Sequence, residues 1–311
     1  MQLFQRKRSV FRPSPSKTKK DSEGVASVVG TILALIVFLS ILGIFTNHFV
    51  PAMMTSNEHQ HDNTVVSQLS QFKQGVDNLL MDSTTSQVST LSSFAPVTLG
   101  SSGVPMFAVG TQSQMNVIPQ SGSTFPYFDV SFNYNVPGIT GTYHLSSTSG
   151  GGVVVNIPNR YYVPQSVLYE NDAVLLGQSN GQLMLSDPGF AVSSEGGTHL
   201  SLLELSLATP TASNMTYSGT NTVSLTSGLL TYSDNYYTTS SASVITVTVG
   251  TPFPYAWLGF VNSTFSQANL TNGFTYSVQY AGSSLYVLTL KITGVSSVSL
   301  TTALLSVSPE D

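Results

Sequence analysis

Between Val25 and Thr46 the chain runs VASVVGTILALIVFLSILGIFT, 22 residues without a charge. At about 1.5 Å per residue, a helix over this run reaches roughly 33 Å, enough to cross a hydrocarbon core of about 30 Å. Its polar side chains, Ser27, Thr31, Ser40 and Thr46, can all bond back to helix carbonyls. A soluble helix of this length would carry charge on a wet face, so the run predicts a transmembrane helix over 25–46. The flanking charges orient it. Arg6, Lys7, Arg8, Arg12, Lys17, Lys19 and Lys20 precede the run with only Asp21 and Glu23, a net +5. Beyond it Lys73, Arg160 and Lys291 face thirteen acids, a net −10. By the positive-inside rule, residues 1–24 form a cytoplasmic tail or leader and the remainder is extracellular, on a single-pass cell-membrane protein.

Composition narrows the function classes. There is no cysteine, which excludes a disulfide scaffold, a thiolate metal site and a cysteine nucleophile. With 41% hydrophobic residues the chain is not a disordered tail. Charged residues are 8%, against about 25% in an average soluble protein, and Ser and Thr make up roughly a quarter. The basic tail abuts a membrane span, where its cations attract anionic lipid. Membrane lipid is therefore the expected partner and nucleic acid is not. A surface of hydroxyls and amides stays neutral at any pH, so an ectodomain facing an acidic medium is expected. Unfolding of the ectodomain between about pH 4 and pH 2 would overturn that expectation.

The apolar run is longer than a signal-peptide core, and Asn47-His48-Phe49-Val50-Pro51 after it is not a small-residue cleavage site. The small residue instead precedes the run, at Gly24. A basic leader, a glycine and then VASVVGTILALIV resembles the N-terminus of archaeal type IV pilin-like proteins. The resemblance implies cleavage between Gly24 and Val25, and bundling of the hydrophobic helices of several copies, or of other pilin-like subunits, into a filament core. Glu23 stands where that family usually has Lys or Arg, and Val29 where bacterial-type pilins have glutamate. An uncleaved anchor is therefore the second reading. Asn159–Gln165, Tyr169–Leu176 and Pro254-Tyr255-Ala256-Trp257 also resemble segments of archaeal membrane-anchored ectodomains.

Pro51 is expected to end or kink the membrane helix. Residues 47–82 read as a helical stalk, since Val65, Leu69, Phe72, Val76 and Leu79 step by 4, 3, 4 and 3 on a helix of roughly 56–82. This stripe packs either on the chain's own β domain or in a bundle between subunits. Glu58-His59-Gln60-His61-Asp62 invites a metal reading, but residues two apart on a helix point to different sides, and no third histidine is nearby. No metal site is expected.

From about Pro96 the texture changes to short alternating runs between Gly, Ser and Thr clusters. Phe128-Val130-Phe132-Tyr134-Val136, Ile245-Val247-Val249 and Phe274-Tyr276-Val278-Tyr280 have the period of strands with one wet face. Two hairpins are expected, one turning at Ser179-Asn180-Gly181, with Asn-Gly supplying positive φ, and one at 281–284. The fold expected over 96–311 is a mostly antiparallel, all-β, sandwich-like ectodomain of more than a dozen strands, with a subdivision near 208–213.

Few residues suggest chemistry. Pro254 should start a short helix, with Trp257 packed inward or, with Tyr255, stacking on a carbohydrate. Arg160 is expected to pair with Glu170 or Asp172. Gly177-Gln178-Ser179-Asn180-Gly181 matches G-x-S-x-G, but a strand rather than a helix pattern follows, so His199 and Asp187 do not complete a hydrolase. Asn214, Asn262 and Asn269 head glycosylation sequons. No catalytic residue and no cofactor is expected. Two functions stand: a non-enzymatic, pilin-like surface protein with a structural or adhesive role in a filament or envelope, or an uncleaved membrane-anchored binding module for a glycan or solute.

Overall fold

The computed structural model describes residues 18–85, 91–120, 126–240, 243–270, 273–283 and 285–310. Arg6, Lys7, Arg8, Arg12 and Lys17 lie outside the described residues. The chain forms two compact units, Met1–Ala52 and Met53–Asp311.

In the first unit, helix α1 (Thr18–Ile44) leads into a π turn (Phe45–Phe49), and helix α2 (Val50–Thr85) follows. The Val50 N–H bonds to the Phe45 carbonyl, five residues back. Of the two outcomes expected at Pro51, an end or a kink, the helix does not end there. A proline ring clashes with the carbonyl four residues before it and donates no hydrogen bond. One wider turn immediately upstream lets the helix continue past it. Among the described residues, one helix is long and apolar enough to cross a membrane, and none of its most apolar window is buried. The hydroxyls of Thr31, Ser40 and Thr46 bond back to the carbonyls of Val28, Ile36 and Leu42 at 2.7–3.0 Å, so no polar group of these side chains is left for lipid to satisfy.

Among the described residues the second unit contains fifteen strands: β1 (Ser92–Thr98), β2 (Ser113–Pro119), β3 (Tyr127–Asn135), β4 (Thr142–Ile157), β5 (Gln165–Glu170), β6 (Ala173–Gln178), β7 (Gly181–Ser186), β8 (Phe190–Ser193), β9 (Thr198–Ala208), β10 (Met215–Gly219), β11 (Thr222–Thr238), β12 (Val244–Thr251), β13 (Phe274–Gly282), β14 (Leu285–Thr293) and β15 (Val295–Glu310). Helix α3 (Pro254–Gln267) follows β12. The hydrogen-bonded path runs β7-β6-β5-β4-β3-β11-β15-β9-β8, with β1 on β11, β2 and β10 beside β4, and β12, β14 and β13 beside β3. Pairing is antiparallel except between β15 and β9, which are parallel. The architecture is the mostly antiparallel, sandwich-like domain expected.

Two cores lie within this unit. The first gathers Val65, Leu69, Phe72, Val76 and Leu79 of α2 with β1, β2, the end of β4, and one face each of β5, β6, β9, β11 and β15. The stripe of α2 therefore packs on its own β domain. From Met53 onward the predicted stalk residues are one wall of that domain. The second core gathers Phe128, Val130 and Phe132 of β3 with β12, β14 and α3, and the opposite faces of β5, β6, β9 and β15. The β5–β6 hairpin thus separates two cores. Val167, Tyr169 and Val174 face one, and Leu168, Ala173 and Leu175 face the other. Burial on both faces explains its near-continuous apolar run. The loop at 208–213 joins β9 to β10 inside one unit and is not a domain boundary, because β9 and β15 each contribute to both cores.

Strand β4 changes partners halfway. Thr142–Gly150 pairs with β3, and Gly151–Asn156 pairs with β2, with β5 on its other edge. Gly150-Gly151-Gly152 sits at the change. Gly151 has φ +97°, and a Cβ there would come within 2.7 Å of the Ile118 carbonyl oxygen. Gly151→Val should cost at least about 3 kcal/mol, since strain and a backbone clash add. Gly138→Ala, at φ +80° but in open space, should cost about 1 kcal/mol. Urea unfolding of the detergent-solubilised chain, followed by Trp257 fluorescence, measures both.

Candidate functional site

The polar centre of the second unit is the turn of the β5–β6 hairpin. Asn171 and Asp172 have φ +42° and +65°, the left-handed pair that a two-residue hairpin turn requires. That turn is not among those expected from the sequence; the expected Asn-Gly turn, Ser179-Asn180-Gly181, forms its hairpin with no positive φ at either Asn180 or Gly181. Turns normally face water, but Glu170, Asn171 and Asp172 are all buried. Each therefore needs partners inside the protein. The Asn171 amide donates to the Leu203 carbonyl at 3.0 Å and accepts from the Leu205 N–H at 2.9 Å, which fixes the turn to β9. Glu170 Oε1 accepts from Thr251 Oγ1 and Trp257 Nε1, both at 2.6 Å, which ties in β12 and α3. Asp172 accepts from Lys73 Nζ at 2.9 Å, and Lys73 also reaches Asp77 one helical turn on, which ties in α2.

This arrangement corrects the expected ion pair. The partner of Asp172 is Lys73, and Glu170 bonds to neutral donors. Arg160 is exposed and contributes its backbone N–H to Glu58 at 3.1 Å. Sequence proximity favoured Arg160, but the fold brings residues 73 and 172 together across the chain.

Trp257 is fully buried against Phe128 and Phe260 and is not available to stack on a ligand. Tyr255 is exposed, and its N–H is held by Gln182. The G-x-S-x-G stretch is a strand–turn–strand, β6 to β7, with no helix behind Ser179. His199 bonds to Ser297 at the start of β9. Asn214, Asn262 and Asn269 are exposed, Asn262 on α3 and Asn269 just past its end, and the Thr271 of the last sequon lies outside the described residues. Gly24 and Val25 lie inside α1, both exposed, with nothing close to Gly24.

A second cluster lies at the start of α2. The Glu58 carboxylate accepts from the N–H groups of Arg160, Tyr161 and Tyr162 and from the Thr111 hydroxyl. Burial pushes this carboxyl up, but the Thr111 hydroxyl and the three N–H groups outweigh it and hold it below the usual range. His61 bonds to the Thr98 carbonyl, and burial holds its pKa down. Burial pushes Asp62 up to about 6, against a 2.8 Å bond from Asn159. His59 meets Tyr162 edge-on instead of joining His61. Among the described residues, no group of three or more His, Asp and Glu side chains is placed to hold a metal ion.

Burial raises three further carboxyls. Glu170 is pushed up to about 7 despite its two donors. Its Oε2 has no protein partner, and a cavity of about 10 Å³, room for one water, borders it. Glu204 on β9 is 1% exposed, and neither of its oxygens has a hydrogen-bond partner. Burial pushes it up to about 7 and Asp129 reinforces the rise; Ser147 and the Val130 N–H oppose it from nearby, without the alignment of a full hydrogen bond. Asp129 is raised too, chiefly by burial, and its Oδ1 has no partner. Sequence reasoning missed Glu204, since a single acid in a strand pattern reads as an outward-facing residue, and it weighed Glu58 only as part of a metal motif.

Three larger concavities among the described residues are open grooves. One of about 420 Å³ is lined by Ile157, Pro158, Pro164 and Phe253 with Asn156 and Gln178 at its edge. The chain matches no family model, and no curated protein or solved structure matches it either.

Removing Lys73 leaves Asp172 buried without its cation. Lys73→Met should cost about 3–5 kcal/mol at neutral pH. Burial, reinforced by Asp77, already pushes the Asp172 carboxyl up. At about pH 4 the stranded acid takes a proton, so the penalty should shrink there. Urea unfolding of the variant and the parent at both pH values checks this.

Proposed function

We propose that the chain is a non-enzymatic surface protein, held in the cell membrane by the 25–46 helix with its basic residues inside and its β domain outside, and that it has a structural or adhesive role in a pilin-like assembly. One observation supports this above the others. The side chains of the apolar helix face outward, with Val25, Phe38 and Ile41 each more than 60% exposed, while Met53–Asp311 closes two cores of its own. Such a helix has its surface left for lipid and for other helices. Ala26, Gly30 and Ala34 recur every four residues along it, all exposed, and nothing approaches Gly30. Small residues at this spacing let membrane helices approach closely. The low charge of the β domain and the exposed sequon asparagines fit an extracellular position.

The second reading, an uncleaved anchored binding module, has an observation in its favour. The Gly24–Val25 peptide bond lies within continuous helix, since α1 begins at Thr18. In that case the open groove beside Phe253 is the surface to test with glycans.

The N-terminal residue of the native protein, by mass spectrometry of membrane and shed fractions, decides between them. A mature start at Val25 is expected for the filament reading. A chain retaining its basic tail would overturn processing and leave a permanent anchor. Gly30→Leu should reduce cross-linked oligomers in membranes several-fold while the chain remains in the membrane fraction.

A further inference from the structure

Five of the thirteen acids beyond Gly24 are buried: Glu58, Asp62, Glu170, Asp172 and Glu204. Among the described residues Lys73 is the one buried lysine or arginine, and Asp172 shares it with Asp77. An ionised carboxylate cannot leave water cheaply without a cation or a full set of donors, and a buried acid that lacks both is held neutral by a proton. Glu58 has its donors. Asp172 has Lys73 and the Tyr169 hydroxyl. The other three fall short: neither oxygen of Glu204 has a well-aligned hydrogen-bond partner, and Oε2 of Glu170 and Oδ1 of Asp62 have none.

We infer that the β domain is built to fold with Glu204, Glu170 and their buried neighbours carrying protons, so that the proton is a structural ligand and the domain's working medium is acidic. The inference holds whichever of the two surface roles applies, since it concerns the domain's own interior.

The groups facing each acid support it. Glu204 meets Asp129 from β3, Ser147 from β4 and Tyr237 from β11, with no cation among them. A carboxyl beside another carboxyl resists ionisation further. Glu170 meets Thr251 from β12 and Trp257 from α3, both neutral donors to one oxygen only. Asp62 meets Glu58 and His59 on its own helix and Asn159 from the β4–β5 loop. Asp172 meets Lys73 and Asp77 from α2 and Tyr169 beside it.

The direction follows from linkage. Asp62, Asp129, Glu170, Asp172 and Glu204 are all raised in the fold. Between the ordinary carboxylate range and about pH 7 the folded chain holds protons that the unfolded chain releases. Stability is then fullest in acid and falls as pH rises through that window. Two groups act the other way. Glu58, held low, loses its contribution only below the ordinary range, and His61, held low, disfavours the fold on acidification. Five groups against two give a net preference for acid.

The test uses the full chain in detergent micelles. The urea midpoint is read between about pH 3.5 and pH 8.5 from Trp257, the only tryptophan, whose indole donates to Glu170. A midpoint highest near about pH 4–5 and falling towards about pH 8 is expected, with each fully buried acid worth on the order of a hundredfold in the folding equilibrium. Glu204→Gln imitates the protonated acid. It should raise the neutral midpoint toward the acid value and flatten the profile, and Glu170→Gln should do the same. A wild-type midpoint that is flat or rises between about pH 5 and pH 8 overturns the inference, whether or not the variants fold. Restoration of the neutral midpoint by millimolar calcium, lost in E204Q, would also overturn it by making the ligand a metal cation.

Discussion

The structure of the β domain depends on a hairpin turn that has no access to water. Glu170, Asn171 and Asp172 close the β5–β6 hairpin at the place where two hydrophobic cores meet. Each of the three residues is bound to a different neighbour: Asp172 to helix α2, Asn171 to strand β9, and Glu170 to strand β12 and helix α3. Burying three polar side chains side by side is costly unless each is partnered. The partners therefore determine how the layers are arranged. Hydrogen bonds add direction to the apolar packing of these layers.

The long strands follow from the same constraint. β9 and β15 run past both cores, and β4 changes sheet partners at three successive glycines. The domain is a single unit for this reason, although its length and its two cores suggest two. The β5–β6 wall between the cores is apolar on both faces near its turn, where Glu170 and Asp172 lie.

The same economy shapes the surface and the interior in opposite ways. The surface has been stripped of charge, and what acid remains is disproportionately inside. In a neutral medium that distribution would be a poor one. In acid it is consistent, because a protonated carboxyl is a compact polar group that can both donate and accept hydrogen bonds. The apolar N-terminal helix uses a similar device: the hydroxyls of Thr31, Ser40 and Thr46 bond back to its own carbonyls.

The sequence alone determined the span, the α2 stripe, the period of the strands, the α3 start at Pro254 and the inward Trp257. Each of these is set by neighbours a few residues apart, through helix rise, strand alternation or the fixed φ of proline. It did not show which surface the α2 stripe covers, that Asp172 pairs with Lys73 rather than with Arg160, that positive φ falls at Asn171-Asp172 rather than at Asn180-Gly181, or that Glu204 lies inside. Those depend on contacts between residues up to about a hundred positions apart. Lys73 and Asp172 meet only when the helix lies on the hairpin, and a strand acid faces inward only when sheets cover it on both sides. Only the tertiary structure decided them, because burial and pairing are properties of the packed layers and not of any one segment.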